Sequence, residues 1–211
     1  MKSIVHAVPC LVLASQIVAP SVAGADQSNS TFLLKDSFIQ LNASSSDACT
    51  STSIFFEAVE TVTHAAGSGP PGGGPSLVAN FTVDDFCTGT TVSSPFAFLS
   101  FDPSDLVVLR DSATLQTTVT LSVCTEPAGT CADMPATITL ALSPDGALFR
   151  ENFHGRFDLG SGATFIDNVI ATSQPASSTG SLTVGSLVIP LDSTSATYGR
   201  DLEGSILIVH P

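Results

Sequence analysis

Residues 113–142, ATLQTTVTLSVCTEPAGTCADMPATITLAL, decide the fold class of this chain. Apolar and polar residues alternate over 113–123 and again over 136–142, which is the period of a β-strand that buries one face. Pro127 and Gly129 lie between the two runs and favour a turn, so the stretch is predicted to form an antiparallel hairpin. Its buried face is predicted to comprise Leu115, Val119, Leu121, Val123, Ile138, Leu140 and Leu142.

Cys124 and Cys131 flank the turn of this hairpin. Antiparallel pairing would bring them within the few ångströms that a disulfide needs. Cys10 belongs to the N-terminal leader, so Cys49 and Cys87 remain and are predicted to form a second bridge. An even number of cysteines favours disulfides in an exported chain. A redox site would need a C-x-x-C spacing, and a zinc site would need that spacing or nearby histidines; the sequence has neither.

Residues 1–25 have the organisation of a secretory signal peptide. Lys2 is followed by an apolar stretch and then by the small residues Ala23, Gly24 and Ala25, which form a typical cleavage site. The apolar stretch is too short to span a bilayer comfortably, and no second long apolar segment follows it. The sequence therefore predicts a secreted protein, extracellular or periplasmic, with no membrane span after cleavage of the signal peptide.

The chain is strongly acidic, with a formal net charge of -13. All 19 acidic residues follow the predicted signal peptide. The full positive charges in the same part of the chain are Lys35, Arg110, Arg150, Arg156 and Arg200. This balance disfavours nucleic acid and anionic membrane surfaces as partners, because binding to either needs clustered cations.

A period of two dominates the sequence beyond residue 50, and no convincing helical stretch interrupts it. The predicted strands are 53–63, 76–83, 96–101, 105–110, 113–124, 136–143, 147–158, 163–171, 181–190 and 204–209. Short strands at this spacing indicate an all-β fold, here an antiparallel β-sandwich stapled by disulfides. The pattern does not distinguish a jelly-roll from an immunoglobulin-like topology.

The predicted domain organisation is a polar N-terminal segment, residues 26–52, followed by a single β-sandwich domain, residues 53–211. Within it, GSGPPGGGP at 67–75 is interpreted as a flexible hairpin loop. The polar stretches 42–53 and 172–180 are also predicted to be loops. Residues 31–41, TFLLKDSFIQL, fit either a short helix or a strand.

The stretch ALFRENFHGRFDL, residues 147–159, carries the candidate ligand-binding residues Arg150, His154 and Arg156. Strand alternation places these residues on one face, together with Asn152. The opposite face carries phenylalanines, which are interpreted as core: Phe149, Phe153 and Phe157. In so acidic a chain, the cationic stripe is a natural place for an anionic ligand or an acidic partner. The alternative is a solvated face whose arginines pair with carboxylates of neighbouring strands, such as Asp167.

Metal and catalytic signatures are weak. The candidate metal ligands are turn carboxylates: Asp84, Asp85, Asp102 and Asp105. Oxygen ligands of this kind suit calcium, but no EF-hand pattern is present, and aspartate in turns commonly bonds nearby amides. No cofactor is predicted, and calcium stays an open alternative. The sequence has no G-x-S-x-G or H-E-x-x-H motif, so no catalytic residue is assigned.

These observations favour a non-enzymatic structural or interaction domain of the cell envelope or extracellular space. Its partner would be a protein or another extracellular ligand. One alternative is a calcium- or glycan-binding module, although the absence of Trp and the single Tyr argue against a sugar-binding face. The other is a hydrolase whose paired carboxylates are brought together by the fold.

Overall fold

The structure, a computed structural model, describes residues 28–66, 74–160 and 162–209. The predicted signal peptide and most of the glycine- and proline-rich loop, residues 67–73, lie outside these ranges. Within the described ranges, no helix has the length and apolar character needed to cross a membrane.

The described residues form strands almost throughout, with one short 3-10 turn at Pro103–Asp105. The strands are β1 (Ser28–Ser46), β2 (Thr50–Ala66), β3 (Ser76–Asp85), β4 (Thr90–Ser100), β5 (Leu106–Val108), β6 (Ala113–Glu126), β7 (Thr130–Pro144), β8 (Phe149–Gly160), β9 (Ala163–Val184), β10 (Leu187–Pro190) and β11 (Ser193–Val209). The expected all-β class is confirmed.

The strands make one antiparallel sheet in which the order of hydrogen-bonded neighbours is closed. Pairing runs β10-β9-β11-β1-β2-β3-β4-β6-β5, and β7 joins β6 to β9. The strands β9, β11, β1, β2, β3, β4, β6 and β7 therefore form a closed circuit of neighbours. β8 stands outside this circuit, because its pairing is with β9. First and last strands are neighbours: β1 pairs with β11 from Ser28↔Val209 to Leu41↔Ala196.

The hairpin of β6 and β7 follows the sequence expectation closely. Its apolar positions are buried, as predicted from the alternation: Leu115, Val119, Leu121, Val123, Ile138, Leu140 and Leu142. Cys124 lies directly opposite Cys131, with 4.0 Å between their Cα atoms, and the two form a disulfide. The second disulfide joins Cys49 to Cys87. Both predicted disulfide pairings are confirmed.

The buried core occupies only one end of the long strands. In β1 it includes Ile39 and Leu41, in β2 Ile54 and Phe56, and in β11 Tyr198. Among the side chains whose burial the structure describes, the other ends of these strands carry no fully buried hydrophobic residue. We call this second part the outer sheet, and it comprises β8, residues 163–173 of β9, 199–209 of β11, 28–38 of β1 and 59–66 of β2. It is a single layer of paired strands that extends beyond the core.

Two of the predicted loops are wrong, and residues 31–41 are a strand. β1 continues to Ser46 and β2 begins at Thr50, so the predicted loop at 42–53 shrinks to a tight turn. Asp47 holds that turn, because its Oδ1 accepts the backbone N–H groups of Cys49 and Thr50 at 2.8 and 2.7 Å.

Residues 172–180, TSQPASSTG, lie in the middle of β9 rather than in a loop. The strand is held there on both edges, by β7 and β11. Small side chains suit this crowded position: Ala176 is fully buried, and the buried Ser178 hydroxyl donates to the carbonyl of Leu191 at 2.6 Å. Tertiary packing thus overrides a composition that is typical of a loop.

Candidate functional site

The two faces of the outer sheet differ in charge. Directly paired residues share a face. One row of such residues crosses a face of the outer sheet from β8 to β2 and comprises Glu151, Ala171, Asp201, Asp36 and Thr61. The carboxylates on this face, the acidic face, are Asp36, Glu151, Asp167, Asp201 and Glu203. The opposite or basic face carries Lys35, Arg150, His154, Arg156 and Arg200, together with the carboxylates Glu60 and Asp158.

β8 is exposed on both faces along its whole length except at Gly155. The interpretation of its phenylalanines as core is wrong, because Phe149, Phe153 and Phe157 are 57%, 53% and 46% exposed. The alternation itself is correct, since these rings share the acidic face. They stay exposed because β8 pairs along the outer sheet, where no core formed by the described residues covers either face.

Gly155 is buried by the aromatic rings of its own strand. A Cβ atom built on it would lie 2.8 Å from the Phe153 ring and 2.7 Å from the Phe157 ring. The two rings therefore fold toward each other over the glycine, as aromatic side chains do when they cover an exposed strand glycine. Phe165 of β9 extends this cluster, with its ring centroid 6.3 Å from that of Phe157.

The structure brings the predicted ligand-binding residues Arg150, His154 and Arg156 together on the basic face. Their cross-strand neighbours on β9 are uncharged: Thr172, Asn168 and Ile166. His154 Nδ1 lies 2.5 Å from the side-chain oxygen of Asn168, which fixes the orientation of the ring. Asp167, the suggested counterion, pairs with Gly155 and lies on the opposite face. The stripe therefore exposes the guanidinium groups of Arg150 and Arg156, with the ring of His154 between them.

Arg200 and Tyr198 connect the base of the outer sheet to the core end of the fold. The guanidinium of Arg200 donates to the carbonyl of Val108 on β5. The hydroxyl of Tyr198 lies 3.3 Å from the carbonyl of Arg110 and from the side-chain oxygen of Gln174. These bonds fix the point at which the single-layer sheet leaves the core.

Burial raises the pKa of three carboxyl groups on the acidic face, those of Asp36, Asp201 and Glu203. Asp36 and Asp201 lie directly opposite each other, and an oxygen of each is buried without a hydrogen-bond partner. Burial, and then the charge of Asp36, raises the pKa of Asp201 to about 6. Burial likewise raises the pKa of Asp36 and of Glu203. The sequence alone does not predict this carboxylate cluster, because no local pattern indicates that β1 pairs with β11.

Stability should therefore rise on mild acidification. The carboxyl of Asp201 titrates near 3.8 when unperturbed and at about 6 in the folded protein. Its contribution is fully present below about 3.8 and is lost as the pH rises through about 6. We expect Asp201→Asn to raise the free energy of unfolding at pH 7 by about 1 kcal/mol, less than the full pKa difference implies, because the half-exposed group is screened by solvent.

Urea unfolding of Asp201→Asn at several pH values between 4 and 7 would measure this effect. The variant should show a flatter pH dependence than the wild-type protein. The matched control is Asp133→Asn, which removes an exposed carboxylate from β7. An equal gain from both variants at pH 7 would mean that net charge, and not the Asp36–Asp201 contact, limits stability.

Three of the four candidate metal ligands, Asp84, Asp85 and Asp102, accept hydrogen bonds from nearby groups of the chain. Asp85 Oδ1 accepts the backbone N–H groups of Thr88 and Cys87, and the bonding to Thr88 above all lowers the pKa of that carboxyl. Asp102 Oδ1 accepts the backbone N–H and the hydroxyl of Ser104, with the same effect on its pKa. Asp84 accepts the hydroxyl of Thr91, and Asp105 follows in the 3-10 turn. No group of three or more His, Cys, Asp or Glu side chains in the described residues has metal-binding geometry.

A second group of exposed aromatic rings lies beside the acidic face, over the core end of the fold. Phe98 is 75% exposed, and its cross-strand neighbour Val78 pairs in turn with Glu57. Phe96 is also exposed, and its ring centroid lies 5.9 Å from that of Phe55. These rings extend the apolar part of the surface beyond the outer sheet.

The chain matches no known protein family, and neither a curated protein nor a solved structure is significantly similar to it. The candidate site is therefore interpreted from its own surface chemistry.

Proposed function

We propose that this protein is a non-enzymatic interaction domain, exported to the extracellular or periplasmic space, that binds a partner through the outer sheet. The observation that carries the proposal is β8, which among the described strands pairs with β9 alone and has exposed phenylalanines on one face and exposed arginines on the other. The two disulfides support an exported location, because such bonds persist in oxidising compartments.

A free strand edge is a binding element in its own right. The outward backbone N–H and C=O groups of β8 can pair with an added strand, and its alternating side chains can select which strand is added. Burial of one exposed phenyl side chain contributes about 1.5–3 kcal/mol. Phe149, Phe153 and Phe157 together therefore offer enough apolar surface to support a specific contact.

Side-chain cross-linking in the producing cells would test the proposal. A photo-reactive amino acid at position 152 lies within β8 and replaces the uncharged Asn152. We expect it to give a covalent adduct of discrete mass, because a partner strand would lie against this edge. The matched control is position 141, where Ala141 is exposed on β7, a strand paired on both edges.

An adduct from position 152 and none from position 141 would support the outer sheet as the binding surface. Equal labelling of both positions would indicate non-specific collision. Absence of any adduct from positions 150, 152 and 154, in protein with normal disulfides, would contradict the proposal.

A further inference from the structure

We infer that β8 pairs in antiparallel orientation with β8 of a second copy of this chain. The two copies are related by a two-fold axis that lies between their His154 residues. The inference rests on the proposed function and names its partner. It follows from three features of β8: the edge with which no described strand pairs, the order of charges along its basic face, and a glycine at the centre of its aromatic face.

The geometry of a symmetric sheet limits the registers available. When two copies of a strand pair antiparallel about an axis normal to the sheet, directly opposed residues come from the same face. The axis must then lie midway between the two copies of one residue, which faces itself; this is termed an axis through that residue. β8 spans Phe149–Gly160, so axes through His154 or Gly155 give the longest overlap.

Charge selects between these two registers. With the axis through His154, Arg150 of each copy faces Asp158 of the other, so two opposite-charge pairs form. With the axis through Gly155, Asp158 of each copy faces the uncharged Asn152 of the other, so no opposite-charge pair forms. Moving the axis to Phe153 places Arg150 against Arg156 twice. Opposite charges stabilise cross-strand pairs and like charges destabilise them, so the register centred on His154 is favoured.

The acidic face supports the same register. Phe153 of each copy then faces Gly155 of the other, a position without a side chain. The rings of Phe153 and Phe157 already close over Gly155 in one copy. Pairing places two such clusters side by side across the axis, so apolar surface that is exposed in the single chain becomes buried. The other carboxylate on this strand, Glu151, lies opposite Phe157 and meets no second carboxylate.

A charge-exchange series tests this pairing. Sedimentation velocity of the purified, disulfide-bonded protein should show a concentration-dependent dimer. Arg150→Glu creates two contacts between acidic residues and should weaken dimerisation at least about tenfold, and Asp158→Arg should do the same with basic residues. Combining Arg150→Glu with Asp158→Arg restores opposite charges and should bring the dissociation constant back to within about threefold of the wild-type value.

Lys35→Glu is the matched control. It makes the same change of charge on the same face, but on β1, away from β8, and should leave dimerisation unchanged. Thermal unfolding of every variant shows whether the fold is retained. As an independent measure of register, His154→Cys should form an intermolecular disulfide on oxidation, because the two copies of position 154 face each other. Arg156→Cys should not, since it faces Asn152.

A dimer with rescue by the double charge exchange supports the inference. A dimer whose dissociation constant is unchanged by either single substitution overturns the inference, because the interface then lies elsewhere. A protein that is monomeric at all concentrations also overturns it. If position 152 nevertheless gives an adduct with a different protein in cells, the proposed interaction function stands and only the identity of its partner is wrong.

Discussion

Gly180→Ala should destabilise the protein by about 3 kcal/mol or more, the largest effect expected of any single substitution considered. Gly180 adopts a φ of +151°, a conformation that residues with a Cβ atom rarely occupy. A Cβ atom built there would overlap the carbonyl oxygen of Thr139 and lie 3.0 Å from the Cα atom of Leu140. Both neighbours are backbone of β7, so the clash cannot be relieved by rotating a side chain. The loss would appear as a lower midpoint of urea unfolding.

Gly204→Ala is the control for this substitution. Gly204 also lies in a long strand, β11, but a Cβ atom built on it meets nothing within 4 Å. Alanine there should change the free energy of unfolding by less than about 0.5 kcal/mol. Similar losses from both variants would show that strand propensity, and not the close approach of β7 to β9, makes glycine necessary at position 180.

The two disulfides should contribute unequally to stability. The bond between Cys49 and Cys87 spans a sequence separation of 38, whereas that between Cys124 and Cys131 spans 7. Chain entropy in the unfolded state grows with the length of the closed loop. Replacing the first pair by serines should therefore cost about 4 kcal/mol, and replacing the second about 2.5 kcal/mol.

Denaturant unfolding of the two double-serine variants would measure this difference. The Cys49–Cys87 bond joins the turn between β1 and β2 to the turn between β3 and β4, so its loss frees the ends of two hairpins. The Cys124–Cys131 bond lies within one hairpin whose register is fixed by buried alternation. A larger loss for the short loop would refute the entropic argument and indicate that local packing around Cys124 dominates.

The part of the fold that sequence predicts well is the part determined by local contacts. In β6 and β7, the turn residues, the cysteine pair and the apolar alternation all specify one register, and the structure follows it. In β9 the same reasoning fails over 172–180. A small polar residue such as Ser178 is typical of a loop when only the local sequence is considered, but here it fits a strand crowded between β7 and β11.

The candidate site was predictable only in part. The sequence places Arg150, His154 and Arg156 on one face of a strand, and the structure agrees. Alternation cannot show which face of β8 is covered, so Phe149 and its neighbours were assigned to a core that they do not reach. The opposition of Asp36 and Asp201 depends on pairing between strands at the two ends of the described chain, which no local pattern encodes.

The pairing of β1 with β11 also sets the order in which the fold can be completed. β1 can form a hairpin with β2 early, but its other edge stays open until the last strand is available. Closing contacts between such distant segments carries a large loop entropy, so folding is expected to be slow compared with that of helical domains of this size. During this delay the chain exposes unpaired edges at β1 and β9, a state that favours association with other chains. Once β11 inserts between β1 and β9, both of these edges are satisfied in a single step.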